Sequence, residues 1–327
     1  MKGLEQYDKR NNHLIEGLLA SNANRPYLNG FVNHLKLTKS ELTTYNYLRH
    51  IIDFMDSNEK EMSELRYDDY ISYESKFLSC SSSYKIVKHS ALKAFSEYLF
   101  ISGMNPINAM ENVKAPKSTQ SVEAVAKREN NYLNPEEVHN LLRVVAVGAG
   151  NANARHKQAA WRTRDKAIIY TLLATGMRSS ALYKLDVDDI NFTTGEIMVK
   201  EKGKVQLHIL DADTLDIIRD WLVDREKFLE GKEESALFIS NRRTRMTQQA
   251  ISNLTQKYGE NVKDIHLTPH KLRATFGTQV YAATGDLYLT QQAMGHSNAN
   301  TTAIYIRGQK RASKEKASGV MHEMLFG

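Results

Sequence analysis

Apolar residues recur at three- and four-residue spacing along the first third of the chain. The segment from 38 to 56 begins with Ser and Thr and then places six apolar side chains at this spacing: Leu42, Tyr45, Leu48, Ile51, Ile52 and Met55. This is the pattern of an amphipathic helix. A second helix is predicted from 81 onward and is ended by Gly103 and Asn105-Pro106. We therefore expect a small all-helical domain over 25–113, preceded by an N-terminal extension over 1–24.

The segment from 114 to 130 breaks this pattern. It contains a proline, several small polar residues and little apolar periodicity, which is typical of an exposed interdomain linker. Beyond it, Asn134 as N-cap and Pro135 in the first turn predict a new helix. Another helix should end at Gly176. The sequence thus predicts a second domain over 131–327.

The period of the pattern changes in the middle of the second domain. Residues 195–210, GEIMVKEKGKVQLHIL, predict two short strands on either side of a turn around 202–204. The run ALFIS at 236–240 predicts a third strand, and the remaining segments return to helical spacing. The predicted fold class is therefore mainly α with a small antiparallel β-sheet.

Composition and charge narrow the class of protein. Cys80 is the only cysteine, so an intramolecular disulfide cannot form, and no thiol cluster is available for a metal. The first residues lack the apolar core of a signal peptide, and no later stretch reaches membrane-spanning length, so we expect a soluble cytoplasmic protein without a membrane partner. The net charge is +6, with thirty basic against twenty-four acidic residues after residue 114. This excess modestly favours nucleic acid as a partner.

Candidate chemistry begins in the segment LTPHKLRATF. Thr268 is a predicted N-cap and Pro269 a first helical residue, which puts His270 and Arg273 on one helical face. Two phosphate-binding groups can converge there. Taken alone, however, a histidine and an arginine three residues apart are most often simply solvated.

Three further residues extend this set. A helix is predicted to end at Gly295, which exposes His296, and Tyr305 follows nine positions later on a further predicted helix. Upstream, Arg178 comes directly after a helix-ending glycine, where the backbone can direct a guanidinium into a cleft. A lone tyrosine at helical spacing is usually a core residue, so the assignment of Tyr305 depends on the other residues.

The order of six residues resembles the active site of the tyrosine recombinase, or phage integrase, family: Arg178, Lys202, His270, Arg273, His296 and Tyr305. Three motifs carry the resemblance, TGMR, PHKLRATF and MGHSNANTTAIY. It covers the chain well from about 133 to 305 and the helical N-terminal half more loosely. It implies the two-domain Xer/Cre-like layout, with a helical, SAM-like core-binding domain and a tyrosine recombinase catalytic domain.

The resemblance also implies a role for each residue. Arg178 and Arg273 would bind the scissile phosphate, and His270 and His296 would add hydrogen bonds. Tyr305 would attack and Lys202 would protonate the departing 5′ oxygen, without a metal, ATP or any cofactor. Lys200 and Lys204 stand in the same hairpin and remain alternatives to Lys202. Ala181 occupies a position where the family commonly has an acidic residue, so support for Arg178 should come from elsewhere.

The implied partner is double-stranded DNA with a specific recombination site, on which the chain would form a tetramer, as a nucleoid-associated protein. Two sets of basic residues are candidate DNA contacts, although either could be a merely solvated face: Lys85, Lys88 and Lys93 in the helical domain, and Arg242, Arg243 and Arg245 before a helix capped near Thr247. The tail from 308 to 327 ends in an apolar face, which would dock on a neighbouring protomer or pack on its own.

Two other functions share much of this pattern. A type IB topoisomerase would use a similar residue set to relax supercoils, and a DNA-binding accessory protein would lack catalysis. The presence of all six residues argues against the second. Among recombinases, the residues leave open integration, excision, dimer resolution and DNA inversion, which use the same strand-exchange chemistry.

Overall fold

The computed structural model describes residues 2–117, 131–148, 160–201, 204–262 and 266–295. The chain divides into two compact units, Met1–Val122 and Glu123–Gly327. This division falls within the segment 114–130, for which the sequence predicts a linker. None of the helices in the described ranges is long and apolar enough to cross a lipid bilayer.

The described part of the first unit is helical, with one short 3₁₀ turn at Met62–Glu64. Its α-helices are α1 (Lys2–Ser21), α2 (Tyr27–Lys36), α3 (Glu41–Asp56), α4 (Tyr67–Ser75) and α5 (Ser82–Ile101). The two helices predicted from the spacing are α3 and α5. Ser40 and Ser81 begin them, because each hydroxyl accepts a hydrogen bond from the backbone N–H three residues later.

Aromatic side chains fill much of the core of the first unit. Phe54 stacks on Tyr70 with ring centroids 5.0 Å apart, and Phe31 meets Phe95 edge-on at 5.2 Å. Helix α1 packs against α3, and its Ile15, 1% exposed, belongs to the same core. The segment 1–24, which the sequence presents as an extension, thus contains a helix that is part of the unit.

The second unit combines helices with one hairpin. Its described α-helices and strands are α6 (Pro135–Val147), α7 (Arg162–Thr175), α8 (Ser179–Leu182), β1 (Glu196–Glu201), β2 (Lys204–Ile209), α9 (Ala212–Leu229), α10 (Gln248–Glu260), α11 (Pro269–Thr284) and α12 (Leu287–Ala293), with a short 3₁₀ turn at Val187–Asp189. Helix α7 is central, since it packs against α6, α9 and α11. It buries apolar side chains around much of its circumference and ends at Gly176 in the left-handed conformation, as predicted.

The hairpin is antiparallel, with Glu196 opposite Ile209 and Glu201 opposite Lys204. The predicted third strand at 236–240 is wrong, because among the described residues it forms only isolated bridges, at Ala236 and Ile239. Side chains bind some of the carbonyls that a strand ladder would use. Trp221 Nε1 donates to the Leu237 carbonyl at 2.8 Å, and Arg225 Nε donates to that of Ala236 at 3.0 Å.

Candidate active site

Arg273 lies at the centre of the site, on the second turn of α11. Thr268 caps this helix by accepting a hydrogen bond from the backbone N–H of Lys271 at 3.1 Å, and Pro269 is its first residue. The Arg273 side chain is 2% exposed. Its Nη1 donates to the carbonyl of Gly176 and its Nη2 to that of Met294, each at 2.5 Å. One guanidinium therefore connects the end of α7 to the end of α12.

Arg178 is brought to the site by the turn that ends α7. Gly176 has φ +58°, and a side chain there would collide with Phe276 of α11, so the turn requires glycine. Arg178 then serves as the N-cap residue of α8, in extended conformation, and its carbonyl accepts from the N–H groups of Ala181 and Leu182. The side chain of Arg178 is half-buried.

His270 shares the site with both arginines. It lies on the first turn of α11 and keeps part of its side chain exposed to solvent. Desolvation lowers the pKa of His270 below its ordinary value, and the positive charges of Arg273 and Arg178 lower it further. At neutral pH the ring is therefore neutral, with one nitrogen that can donate and one that can accept.

Ala181 is 1% exposed, so the position where the family commonly has an acidic residue faces the core and carries no carboxylate. Among the described residues, the side-chain amide of Gln248 lies near Arg178 in place of a carboxylate. Gln248 Nε2 donates to the hydroxyl of Ser179 at 3.1 Å, which ties α10 to the first residue of α8. This contact supports the backbone that carries Arg178.

Helix α12 brings the chain back to Arg273. Asp286 caps its start by accepting from the N–H groups of Tyr288 and Leu289. Gly295 follows its end with φ +60°, as predicted for a helix-ending glycine. The Gly295 carbonyl accepts a hydrogen bond from Gln206 Nε2 of β2 at 3.0 Å. Sequence reasoning missed Gln206, because a single glutamine in a strand carries no recognisable signal.

Lys202, His296 and Tyr305 lie outside the described residues, as do the tail 308–327 and most of the 114–130 segment. For Lys202 and His296, the residues that directly precede them in the chain are described. Strand β1 ends at Glu201 and β2 begins at Lys204, so Lys202 belongs to their connection. Gly295 directly precedes His296.

The prediction that Lys88 faces DNA is wrong. Its side chain is 2% exposed, and its Nζ donates to the Tyr73 hydroxyl at 3.0 Å and lies 3.6 Å from the centroid of the Phe77 ring. Lys85 and Lys93 are half-buried. Lys85 donates to the Leu78 carbonyl at 3.2 Å, and Lys93 donates to the carbonyls of residues 111 and 113. These two remain candidates for DNA contact.

The prediction that Arg245 contacts DNA is also wrong. Its side chain is 9% exposed, donates to the carbonyls of Tyr183 and Leu185 at 3.0 Å each, and pairs with Asp186. Burial alone would raise the pKa of Asp186, but the hydrogen bonds from Arg245 and Ser235 outweigh it and lower that pKa. Arg245 therefore stabilises the fold of its own unit.

The two other arginines of this set lie nearer the surface. Arg243 is paired with Glu230 at 2.5 Å, and Arg242 is exposed. An exposed guanidinium can reach a phosphate without breaking a buried contact. Arg242 and Arg243 thus remain candidate DNA contacts.

The fold and these residues define a class of protein. Residues 131–311 match the model of the phage integrase family, so the chain belongs to this family of tyrosine-type site-specific recombinases. Among its relatives is the tyrosine recombinase XerC of Alcanivorax borkumensis, which is 31% identical over 218 residues, 66% of each chain. The XerC of a Roseiflexus species is 26% identical over 322 residues, 90% of this chain and 96% of its own.

A solved structure has the same fold. It is a XerH site-specific recombinase bound to a palindromic difH substrate, in a post-cleavage complex. The TM-score is 0.66 at 23% identity, and the match covers 85% of this chain and 80% of that one. The mainly helical fold class with a small antiparallel sheet is therefore confirmed.

Proposed function

We propose that this chain cleaves and rejoins duplex DNA at a specific site through a covalent 3′-phosphotyrosine bond formed by Tyr305, without metal or ATP. One observation carries the proposal. Arg178 is far upstream of His270 and Arg273 in sequence, yet it is brought to the helix that carries them, because Arg273 Nη1 donates to the carbonyl of Gly176, two positions before Arg178. Both guanidinium charges lower the pKa of His270. Lys202 lies between the two strands of the hairpin, and His296 directly follows Gly295 in the chain. Gln206 of this hairpin donates a hydrogen bond to the Gly295 carbonyl.

The two arginines supply the positive charge that the reaction requires. A phosphodiester gains negative charge on its non-bridging oxygens as the phosphorus becomes five-coordinate. Guanidinium groups bind such oxygens with fixed, directional N–H donors and stay protonated at any physiological pH. Arg178 and Arg273 take this role, and the neutral ring of His270 adds a hydrogen bond.

In the cleavage step, the Tyr305 hydroxyl oxygen bonds to phosphorus and the bond from phosphorus to the 5′ oxygen breaks. The tyrosine proton passes to a histidine of the set, His270 or His296. Lys202 gives a proton to the departing 5′ oxygen. The phenolate, with a pKa of about 10 in water, is an adequate leaving group when a DNA hydroxyl attacks in the reverse direction. The energy of the phosphodiester bond is conserved in the phosphotyrosine bond, so the step needs no ATP.

Recombination also requires that protomers meet. We propose that four protomers assemble on two DNA sites, that the tail 308–327 docks on a neighbouring protomer, and that the protein acts on DNA in the cytoplasm, at the nucleoid. Phosphate contacts by exposed basic residues such as Arg242 would set the affinity, which should fall steeply as salt rises. The XerH recombinase of the same fold is bound to its difH substrate, which supports duplex DNA as the partner.

The nucleophile is tested with duplex DNA that carries the native site and a nick beside the cleavage point. Wild-type protein should form a covalent adduct, detected by denaturing electrophoresis and mapped to Tyr305 by peptide sequencing. Tyr305→Phe should form none, whereas Tyr288→Phe, which changes a 67% exposed tyrosine on α12, should react normally. An adduct that persists in Tyr305→Phe, or that maps to Tyr281 or Tyr288, would contradict the proposal.

A second arm of this experiment separates recombination from DNA relaxation. Strand exchange should require two matching sites, because each cleaved end is joined to the partner duplex. Relaxation of a supercoiled plasmid that carries one site, with no exchange between two, would instead indicate a topoisomerase-like activity.

A further inference from the structure

Gln206 connects the hairpin to the end of α12. It stands opposite Val199 in the ladder and is half-buried, whereas its neighbours Val205 and Leu207 are 63% and 51% exposed. Side chains alternate between the two faces of a strand, so Gln206 points to the inner face of the hairpin. There its Nε2 donates to the Gly295 carbonyl at 3.0 Å, across 89 positions of sequence.

The carbonyl that Gln206 binds belongs to Gly295, which directly follows the C-cap residue of α12. The last carbonyls of an α-helix lack intrahelical partners and must find others. At the end of α12, Arg273 binds the carbonyl of Met294 and Gln206 binds that of Gly295. Two consecutive carbonyls are thus held by two different elements, α11 and β2. The backbone just before His296 is fixed from both sides.

The contact also depends on the glycine. Gly295 has φ +60°, a conformation that side chains disfavour, and a Cβ there would collide with the Gln206 amide. Glycine allows the Gln206 amide to approach the backbone this closely. Gly295 therefore does more than end the helix, because it also makes room for Gln206.

The oxygen of the Gln206 amide can accept a further hydrogen bond. Gln206 Oε1 is buried and has no hydrogen-bond partner among the described residues. Buried amide oxygens are nearly always paired in native proteins, with protein groups or with water. One more donor at this oxygen would fix the amide plane and hold the Nε2 donor on Gly295.

We propose that Gln206 is a positioning residue, which holds the hairpin that carries Lys202 in fixed register with the backbone that precedes His296. This inference rests on the proposed function, which gives Lys202 the role of general acid. Lys202 lies four positions before Gln206, and His296 one position after Gly295. A free hairpin would let Lys202 move relative to the 5′ oxygen that it must protonate.

The test compares two leaving groups in single-turnover cleavage of the nicked substrate. One substrate has the ordinary 5′ oxygen at the scissile bond, and the other has a bridging sulfur there. A thiolate leaves without a proton donor, because the pKa of a thiol is about 8.5, far below that of an alcohol. A defect in the placement of Lys202 should therefore be visible with oxygen and largely hidden with sulfur.

Gln206→Ala should slow cleavage of the oxygen substrate on the order of 10- to 100-fold, as expected when a catalytic group is misplaced by about 1 Å. The sulfur substrate should recover most of that loss. Gln206→Glu keeps the volume but replaces the amide donor with a carboxylate, which repels the Gly295 carbonyl, and should behave in the same way. Leu207→Ala, on the outer face of the same strand, is the matched control and should react like wild type.

The ratio of the two rates is measured on one protein preparation, so it does not depend on the fraction of folded molecules. The inference is overturned if Gln206→Ala cleaves the oxygen substrate like wild type, or if it loses the same factor on both substrates. Failure of the proposed function gives a different result, since wild-type protein would then form no adduct at Tyr305 on either substrate.

Discussion

The two units of the chain each bury a cation, and they do so in different ways. Lys88 of α5 and Arg273 of α11 are both 2% exposed. Lys88 lies among aromatic rings, 3.6 Å from the centroid of Phe77, and donates to the Tyr73 hydroxyl. Arg273 lies among backbone carbonyls and joins the ends of α7 and α12. One cation packs inside the core of its unit, and the other connects separate segments around a candidate site.

The difference follows from the chemistry of the two side chains. Burial lowers the pKa of Lys88, with Asp53 acting in the opposite direction, and burial also raises the pKa of Tyr73. A lysine can thus give up its proton when its surroundings do not favour charge. Arginine does not, so Arg273 keeps its charge when buried, next to the carbonyls of Gly176 and Met294. Burial of a cation alone therefore does not indicate function.

We expect the largest effect from substitution of Arg273. If this effect were absent, the functional difference between Arg273 and Lys88 would not hold. Arg273→Ala should reduce single-turnover cleavage by about 10²- to 10³-fold, the loss typical of removing one donor to a developing charge. Arg273→Lys should recover little, because an ammonium cannot reach the Gly176 and Met294 carbonyls together. The exposed Arg242 provides the control, since Arg242→Ala should keep the cleavage rate at saturating DNA. Near-wild-type cleavage by Arg273→Ala would assign this arginine to the fold alone.

A smaller effect is expected at Lys88, and it concerns stability rather than DNA. Lys88→Ala should lower the free energy of unfolding by about 2 to 4 kcal/mol through the cavity it leaves. Lys88→Met fills that space and should cost less than about 1.5 kcal/mol. Denaturant unfolding followed by circular dichroism measures both.

DNA binding distinguishes Lys88 from a surface lysine. Each lost phosphate contact reduces the slope of log K against log salt by about 0.9. Lys88→Met should leave this slope unchanged, while Arg242→Ala should reduce it if Arg242 contacts a phosphate. A reduced slope for Lys88→Met would mean that the lysine leaves its aromatic surroundings to bind DNA, and the contrast with Arg273 would fail.

The smallest expected effect is a change in the titration of His270. Arg178→Ala removes one of the two charges that lower the His270 pKa, so this pKa should rise, while desolvation and Arg273 still act in the opposite direction. Heteronuclear NMR of the ring measures the shift, with the signal assigned by its loss in His270→Asn. An unchanged or lower pKa would mean that the Arg178 charge does not act on His270.

Arg178→Ala should also change how the stability of the protein depends on pH. The pKa of His270 in the folded chain lies below the unfolded value of about 6.5, so the unfolded chain takes up a proton first as the pH falls below that value. The contribution of His270 to stability is therefore complete above about pH 6.5 and is lost as the pH falls through the folded pKa. Arg178→Ala should make this loss smaller. Unfolding midpoints between neutral and mildly acidic pH measure the difference.

The spacing of residues contained more information about Lys88 than our prediction used. Lys88 precedes Leu92, Phe95 and Leu99 by four, seven and eleven positions, which puts it on the buried face of α5. The prediction instead placed it with Lys85 and Lys93 on a helix surface away from Ile86 and Phe95. Helical phase could have identified Lys88 as buried, but only the fold reveals the Tyr73 and Phe77 rings that surround its amine.

Arg245 and the 236–240 segment could not have been predicted in the same way. Arg245 stands in a basic run, and the apolar residues of 236–240 have the composition of a strand. What decides their structure is distant in sequence, namely Asp186 for Arg245 and the side chains of Trp221 and Arg225 for the backbone of 236–240. Local patterns do not contain such partners.

The order of the candidate site residues is read directly from the sequence. The hairpin and the helix caps at Asn134 and Thr268 were also predictable, because they depend on neighbours within a few positions of the chain. The family could be inferred from three short motifs for the same reason. Only the tertiary structure decided which basic residues are buried, and that Arg273 and Gln206 bind adjacent carbonyls at the end of α12. Such contacts join positions up to 97 residues apart, as between Arg273 and Gly176, and they arise only when separate elements pack together.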